Sequence, residues 1–236
     1  MSSDIDEGLP VRVICATRLS ESEFLEKSLT ALSIKSNLLI SPVEVTVYAN
    51  NKSSLGKLYN QAIDAAVNNP TILVFMHDDI LLCDFHWAQR IRDGLHNFDI
   101  VGLAGTTRRL PKQPSWAFTN LEFKWDDSEF LSGAVGHGQT YPAPTFTAFG
   151  DTGKNCKLLD GLFLATKSET LIRSKVRFDP NLRFHFYDMD FCRSAEVKNL
   201  TMGTIALSAV HQSGGNIADN QWLESYQYYL RKWQEI

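Results

Sequence analysis

The feature that most constrains this chain is the run Thr71-Ile-Leu-Val-Phe-Met-His-Asp-Asp-Ile80. Six apolar or β-favouring residues follow one another without a break, which suits a strand buried on both faces, as in a parallel sheet. The run then meets His77, Asp78 and Asp79. Acids at the carboxyl end of such a strand stand where open α/β sheets bind their ligands. Two carboxylates and an imidazole there offer a seat for a divalent cation, Mg²⁺ or Mn²⁺. The same acids would equally serve to end a strand and solvate a turn, and this segment alone leaves both readings open.

The flanking pattern sets the fold class. Val11–Ala16 reads as a first strand, and Ser20-x-x-Glu23 has the form of a capping box opening a helix over about 20–35, with Leu25, Leu29 and Leu32 at helical spacing. Val43–Ala49 alternates strictly and predicts a second strand. Leu55, Leu58, Ala62 and Ile63 predict a helix over about 54–67, and Trp87, Ile91 and Leu95 one after the central strand. Asp99–Ala104 is a further strand candidate. Strand and helix alternating in this way imply an α/β fold, Rossmann-like, with a mostly parallel central sheet flanked by helices.

Between Thr106 and about Lys157 regularity fails. Prolines, glycines and aromatics, Trp116 and Trp125 among them, predict a long functional or mobile loop. Asp160–Thr166 reads as a strand, followed by a short helix from Ser168. Asp188 stands where an N-cap would open a helix toward Lys198. Thr201–Val210 reads as a last strand, and Gln221–Ile236 as a helix whose aromatic face packs on the core.

At 236 residues and 44% apolar, the chain can bury a full core. We expect a disordered acidic tail over 1–10 and one domain over 11–236, with a ligand-binding half over 11–105 and a second half over 106–236 that carries the C-terminal helix. A net charge of −4 gives no footprint for nucleic acid. Cys15, Cys83, Cys156 and Cys192 form no CxxC pair and read as thiols in a reducing compartment. No signal peptide or spanning run is visible, so the expectation is cytoplasmic, at most peripheral to a membrane.

Six motifs occur in order: Ala16-Thr17-Arg18, Leu55-Gly56-Lys57-x-x-Asn60, His77-Asp78-Asp79, Asp160-Gly161, Tyr187-Asp188-Met-Asp190-Phe191 and His211-x-Ser-Gly-Gly215. In this order and spacing they make the chain resemble a GT-A-fold glycosyltransferase of the family-2 type. The resemblance implies an inverting transfer of sugar from a nucleotide-diphosphate sugar, most simply a UDP-sugar, to a hydroxyl of a glycan or lipid-linked glycan. It places Asp79 and His211 as metal ligands for Mn²⁺ or Mg²⁺, and Asp188 as catalytic base. Ala16, Thr17, Arg18, Asn50, Lys57, Asp78, Asp160 and Gly161 fall at its donor-binding positions. The chain departs from the family pattern where His77 replaces the first acid of Asp-x-Asp, where Asn50 or Asn51 replaces an acid, and where Tyr187 stands in place of Glu.

These residue types suit the reaction. A cation neutralises a diphosphate leaving group, Arg18 and Lys57 add charge, and a carboxylate, ionised at neutral pH in its ordinary state, accepts the proton of the attacking hydroxyl. His137 and His185 read as loop or core histidines. Two other classes compete: a nucleotidyltransferase that makes nucleotide sugars, and a non-catalytic sugar- or nucleotide-binding module. The first needs a glycine-rich loop after the first strand, and Thr17–Phe24 contains no glycine. Retention of Asp79, Asp188 and His211 together argues against the second.

Overall fold

The computed structural model describes residues 8–213 and 219–236. Most of the expected tail, with Gly214 and Gly215 of the last motif, lies outside the described residues. From the amino end, β1 (Val11–Ala16) leads to α1 (Glu21–Lys27) and α2 (Leu29–Asn37), then β2 (Glu44–Tyr48) to α3 (Leu55–Ala65). β3 (Ile72–Met76), β4 (Ile80–Leu82) and α4 (Trp87–Gly94) follow, then β5 (Ile100–Gly102) and β6 (Ala104–Thr106). Next come β7 (Leu131–His137), β8 (Thr145–Gly150), β9 (Leu158–Leu159), β10 (Phe163–Lys167) and α5 (Ser168–Ser174). The order ends with α6 (Tyr187–Val197), β11 (Met202–Thr204), β12 (Ala209–His211) and α7 (Asn220–Lys232).

The main sheet has the order β11-β5-β10-β3-β1-β2. Its pairings are parallel except the two made by β10, so β10 alone runs backwards. β3 is buried along its whole length, as its unbroken apolar run requires. Its Phe75 packs between Tyr59 and Phe178, at ring distances of 4.7 and 5.0 Å. Burying one such ring contributes about 1.5–3 kcal/mol.

A second sheet, β4-β12-β7-β6-β9 with β8 on β7, lies beyond the carboxyl end of β3. Three sequence expectations change because of it. Asp99–Ala104 is two strands, β5 in the main sheet and β6 in the second, and 201–210 divides likewise into β11 and β12. The stretch 106–157 is not all loop, since β7 and β8 form a hairpin within it. The expected helix over 20–35 breaks at Ser28, whose backbone is extended at φ −69° and ψ 128°. Ser28 Oγ accepts from Ala31 N–H and donates to the Asp78 carbonyl at 2.6 Å, while Thr30 Oγ1 donates to the His77 carbonyl at 2.7 Å. These bonds fix the backbone of the acidic turn. Leu25 and Leu32 are exposed, and Phe24, Ala31 and Ile34 carry the packing instead.

Candidate active site

Two pieces of topology bring the site together. Because β10 is reversed, its amino end lies at the carboxyl end of β3, with Phe163 opposite Met76 and the His77 N–H donating to the Leu162 carbonyl at 3.1 Å. That puts Asp160 and Gly161 beside the acidic turn. Antiparallel pairing of β12 with β4 sets His211 opposite Ile80, next to Asp79. His211 Nε2 is 3.2 Å from Asp79 Oδ1. Ser213 donates its N–H to Asp79 Oδ2 at 3.2 Å, and its hydroxyl lies 3.1 Å from His211 Nε2.

His77, Asp79 and His211 each offer a ligand atom, and these atoms lie within 4.8 Å of one another. Gathered in this way, the three could hold one divalent cation. Two imidazoles and a carboxylate suit a first-row divalent ion better than Mg²⁺, which favours oxygen ligands in near-octahedral geometry. Burial works against charge on Asp79, but hydrogen bonds from His211 and Ser213 and the His211 charge outweigh it and hold the carboxyl well below its usual range. Burial likewise opposes charge on His211, and the bond to Asp79 reverses this and raises its pKa. His77 is pushed down by burial first and by His211 second.

A cavity of ≈ 660 Å³ opens beside this group. His211, Asp160, Gly161 and Asp188 line it together with His77, so four of the expected site residues share one space. Trp116, Trp125, Phe184 and Trp222 line it as well. Trp116 is held by its indole N–H, which donates to Asp160 Oδ2 at 2.6 Å. The 106–157 stretch is therefore a wall of the cavity, as its aromatics foretell.

Asp188 is not the N-cap that its sequence position implies. Phe186 takes that place in a left-handed conformation, φ 63°, and Asp188 lies within the first turn of α6. Such a conformation costs a bulky residue about 1–3 kcal/mol. The rings of Trp222, Tyr226 and Tyr229, each 5.3–5.4 Å away, hold Phe186 there. Asp188 Oδ2 accepts from Gly161 N–H and Oδ1 from Met189 N–H, both at 2.9 Å. Burial, then the nearby Asp160 charge, raise its carboxyl from 3.8 to about 7. The expectation of an ordinary carboxylate, fully ionised at neutral pH, is corrected by this environment.

None of the remaining candidates lines this cavity. Thr17 Oγ1 donates to Asp78 Oδ2 at 2.5 Å. Thr17 N–H donates to the Tyr48 carbonyl and Asn50 N–H to the Leu19 carbonyl, which joins the ends of β1 and β2. Ala16 and Arg18 flank Thr17, with Arg18 exposed. Lys57 is exposed in the first turn of α3. Neither cation makes an ion pair with another described residue. His137 and His185, read as loop or core residues, both line the cavity, and His137 sits in register with His211. For His137 it is the pairing of β7 with β12 that reveals this, and no local pattern signals it.

No curated protein matches the sequence. Among solved structures, A197 from STIV is similar at 11% identity and TM-score 0.52, over 87% of this chain and 86% of that one. GalNAc-T7 with UDP, GalNAc and Mn²⁺ is similar at 9% identity and TM-score 0.52, over 94% of this chain. This chain spans 48% of GalNAc-T7, about half its length. The catalytic domain of Drosophila beta1,4galactosyltransferase 7, in complex with xylobiose, is similar at 10% identity and TM-score 0.50, over 93% of this chain and 79% of that one. The likeness is one of fold, and the fold is GT-A. Residues 17–229 match the model of the glycosyltransferase-like family. By that match, and with this fold, the chain belongs to the glycosyltransferase-like family of enzymes.

Proposed function

We propose that the protein is an inverting glycosyltransferase that moves a sugar from a nucleotide-diphosphate sugar to a glycan hydroxyl, with Asp188 as general base. One observation carries this reading: a carboxyl raised to about 7 lines the same cavity as His77 and His211 of the cation-binding group. A base is most effective when its pKa lies near the working pH. Asp188 takes the proton of the acceptor hydroxyl as that hydroxyl attacks. One base and an in-line attack invert the anomeric carbon.

The donor lies across the carboxyl ends of β1, β2 and β3. Ala16, Thr17 and Asn50 border the nucleoside, with Asp78 near the ribose, steadied by Thr17. Arg18 and Lys57 supply positive charge toward the diphosphate. Asp160 and Gly161 face the transferred sugar. Asp79 and His211 hold the divalent ion, Mn²⁺ in preference to Mg²⁺ on the chemistry of the donor set. When bound, that ion supplies a Lewis acid for the diphosphate leaving group. GalNAc-T7, crystallised with UDP and Mn²⁺, supports a UDP-sugar as donor. Aromatic walls at Trp116, Trp125 and Phe184 suit the apolar faces of sugar rings, which favours a glycan acceptor, free or lipid-linked.

No helix among the described residues is long and apolar enough to cross a membrane. The four cysteines are free, which supports a cytoplasmic site of action with at most peripheral membrane contact. The test is a thermal-shift screen of nucleotide sugars with and without Mn²⁺, followed by anomer assignment of the product by NMR. Stabilisation by a UDP-sugar that needs Mn²⁺, and a product of inverted configuration, are expected. Retention of configuration would exclude the single-base mechanism.

A further inference from the structure

Two departures from the family pattern, His77 in place of an acid and Tyr187 in place of Glu, touch each other. Tyr187 Oη lies 2.7 Å from the Gly161 carbonyl oxygen and 3.1 Å from His77 Nε2. A phenol has one proton, and a carbonyl oxygen has none to give. The Tyr187 proton therefore occupies the bond to Gly161. The bond to His77 must then be made with a proton carried on Nε2, which Tyr187 accepts. An imidazole that ligates a metal is neutral and carries one proton only, so Nδ1 keeps its lone pair.

We propose that Tyr187 is a positioning residue that fixes the His77 tautomer, making Nδ1 of His77 the third protein ligand to the cation. The inference rests on the metal-assisted reading above. Metal-ligating histidines commonly have the other ring nitrogen held by a hydrogen-bond partner, and this partner sets ring orientation and basicity. Here the partner is itself tied down. Gly161 receives the Tyr187 hydroxyl on its carbonyl and gives its N–H to Asp188, the next residue in α6. A Cβ at 161 would fall 2.4 Å from Tyr187 Oη and 2.8 Å from Asp188 Cβ, so only glycine admits this grip. Cation site and base are thus set by adjacent residues of one helical turn through one glycine.

Long-range ¹H–¹⁵N NMR of the metal-free protein reads the tautomer directly, without nucleotide or transfer. A proton on Nε2 of His77 is expected, and a proton on Nδ1 overturns the proposal. Mn²⁺ alone is then titrated, with free ion followed by EPR, into wild type and Tyr187→Phe. The Phe ring keeps the packing and removes only the hydroxyl. An affinity lower by about 10–100-fold is expected, the usual effect of losing such a partner. Equal affinity, or no uptake by the wild type, overturns the proposal. Because neither readout uses a sugar donor, the proposal and the transferase reading fail separately: Mn²⁺-dependent transfer with a Nδ1–H His77 would sink only the former.

Discussion

Replacing Asp188 by Asn removes a charge that the fold resists, and the cost of that charge has a definite pH signature. Burial, reinforced by Asp160, raises the carboxyl from 3.8 to about 7 in the native state. With the folded pKa above the unfolded one, ionisation is penalised in the fold. The penalty is absent below pH 3.8, grows as pH rises, and is complete above about pH 7. At 1.36 kcal/mol per pH unit its full size is about 4 kcal/mol. Asn never ionises and so escapes it. Against this, Asn accepts only one of the two N–H groups, of Gly161 and Met189, that Asp188 satisfies. The orphaned donor costs about 1–3 kcal/mol at every pH. The constant part fixes the offset between the two proteins, and the titrating part fixes the slope. Between pH 5 and pH 8 stability should shift toward the variant by about 2–3 kcal/mol. For a chain of this size that is a relative change in Tm of about 5–10 °C. Differential scanning fluorimetry at four pH values measures it. Over the same range wild-type kcat/KM should rise through about pH 7, and the variant should transfer sugar about 10²–10⁴-fold more slowly. A Tm gap that is flat from pH 5 to pH 8 would refute the argument from burial, and normal transfer by the variant would refute the base.

Asp79→Ala should abolish the Mn²⁺ dependence of nucleoside diphosphate binding along with most of the affinity, as followed by calorimetry with and without chelator. His77→Asp replaces a nitrogen ligand by oxygen, so the ratio of Mg²⁺- to Mn²⁺-supported transfer should rise. Asp190 accepts from Trp233 Nε1 and Lys232 Nζ, each at 2.9 Å, and staples α6 to α7. Asp190→Ala should cost about 3 kcal/mol in urea unfolding while leaving transfer per folded molecule within a few-fold of wild type. Limited proteolysis should begin in 106–157, and a UDP-sugar with Mn²⁺ should slow it, with peptide mapping locating the cuts.

The long elements and the residues at their ends were legible in the sequence. β1, β2, α3 and β3 follow their periodicity closely, and the acids after β3 are where an open sheet binds ligands. Strands of three residues defeat any period, so β4 left no trace in the pattern, and β6 and β12 merged with the strands before them. With them went the second sheet and the place of His137 in the cavity, while Asp79 was joined to His211 by the resemblance alone. Asp188 reads as an N-cap because Asp favours that position, and only the packing of Phe186 under three rings displaces it. Its raised pKa belongs to tertiary burial and has no local signal. The reversal of β10 was hidden too, since its apolar residues suit either direction.

That reversal has a consequence for how the protein is made. β10 lies between β3 and β5, yet its residues are synthesised some sixty positions after β5. Until they emerge, β3 has one unpaired edge and β5, whose other neighbour β11 comes later still, has two, each a template for wrong partners. The sheet closes from its middle, and it closes late. A nascent chain halted near residue 105 is therefore an open sheet and no finished half-domain, and its safety rests on delay or on a chaperone.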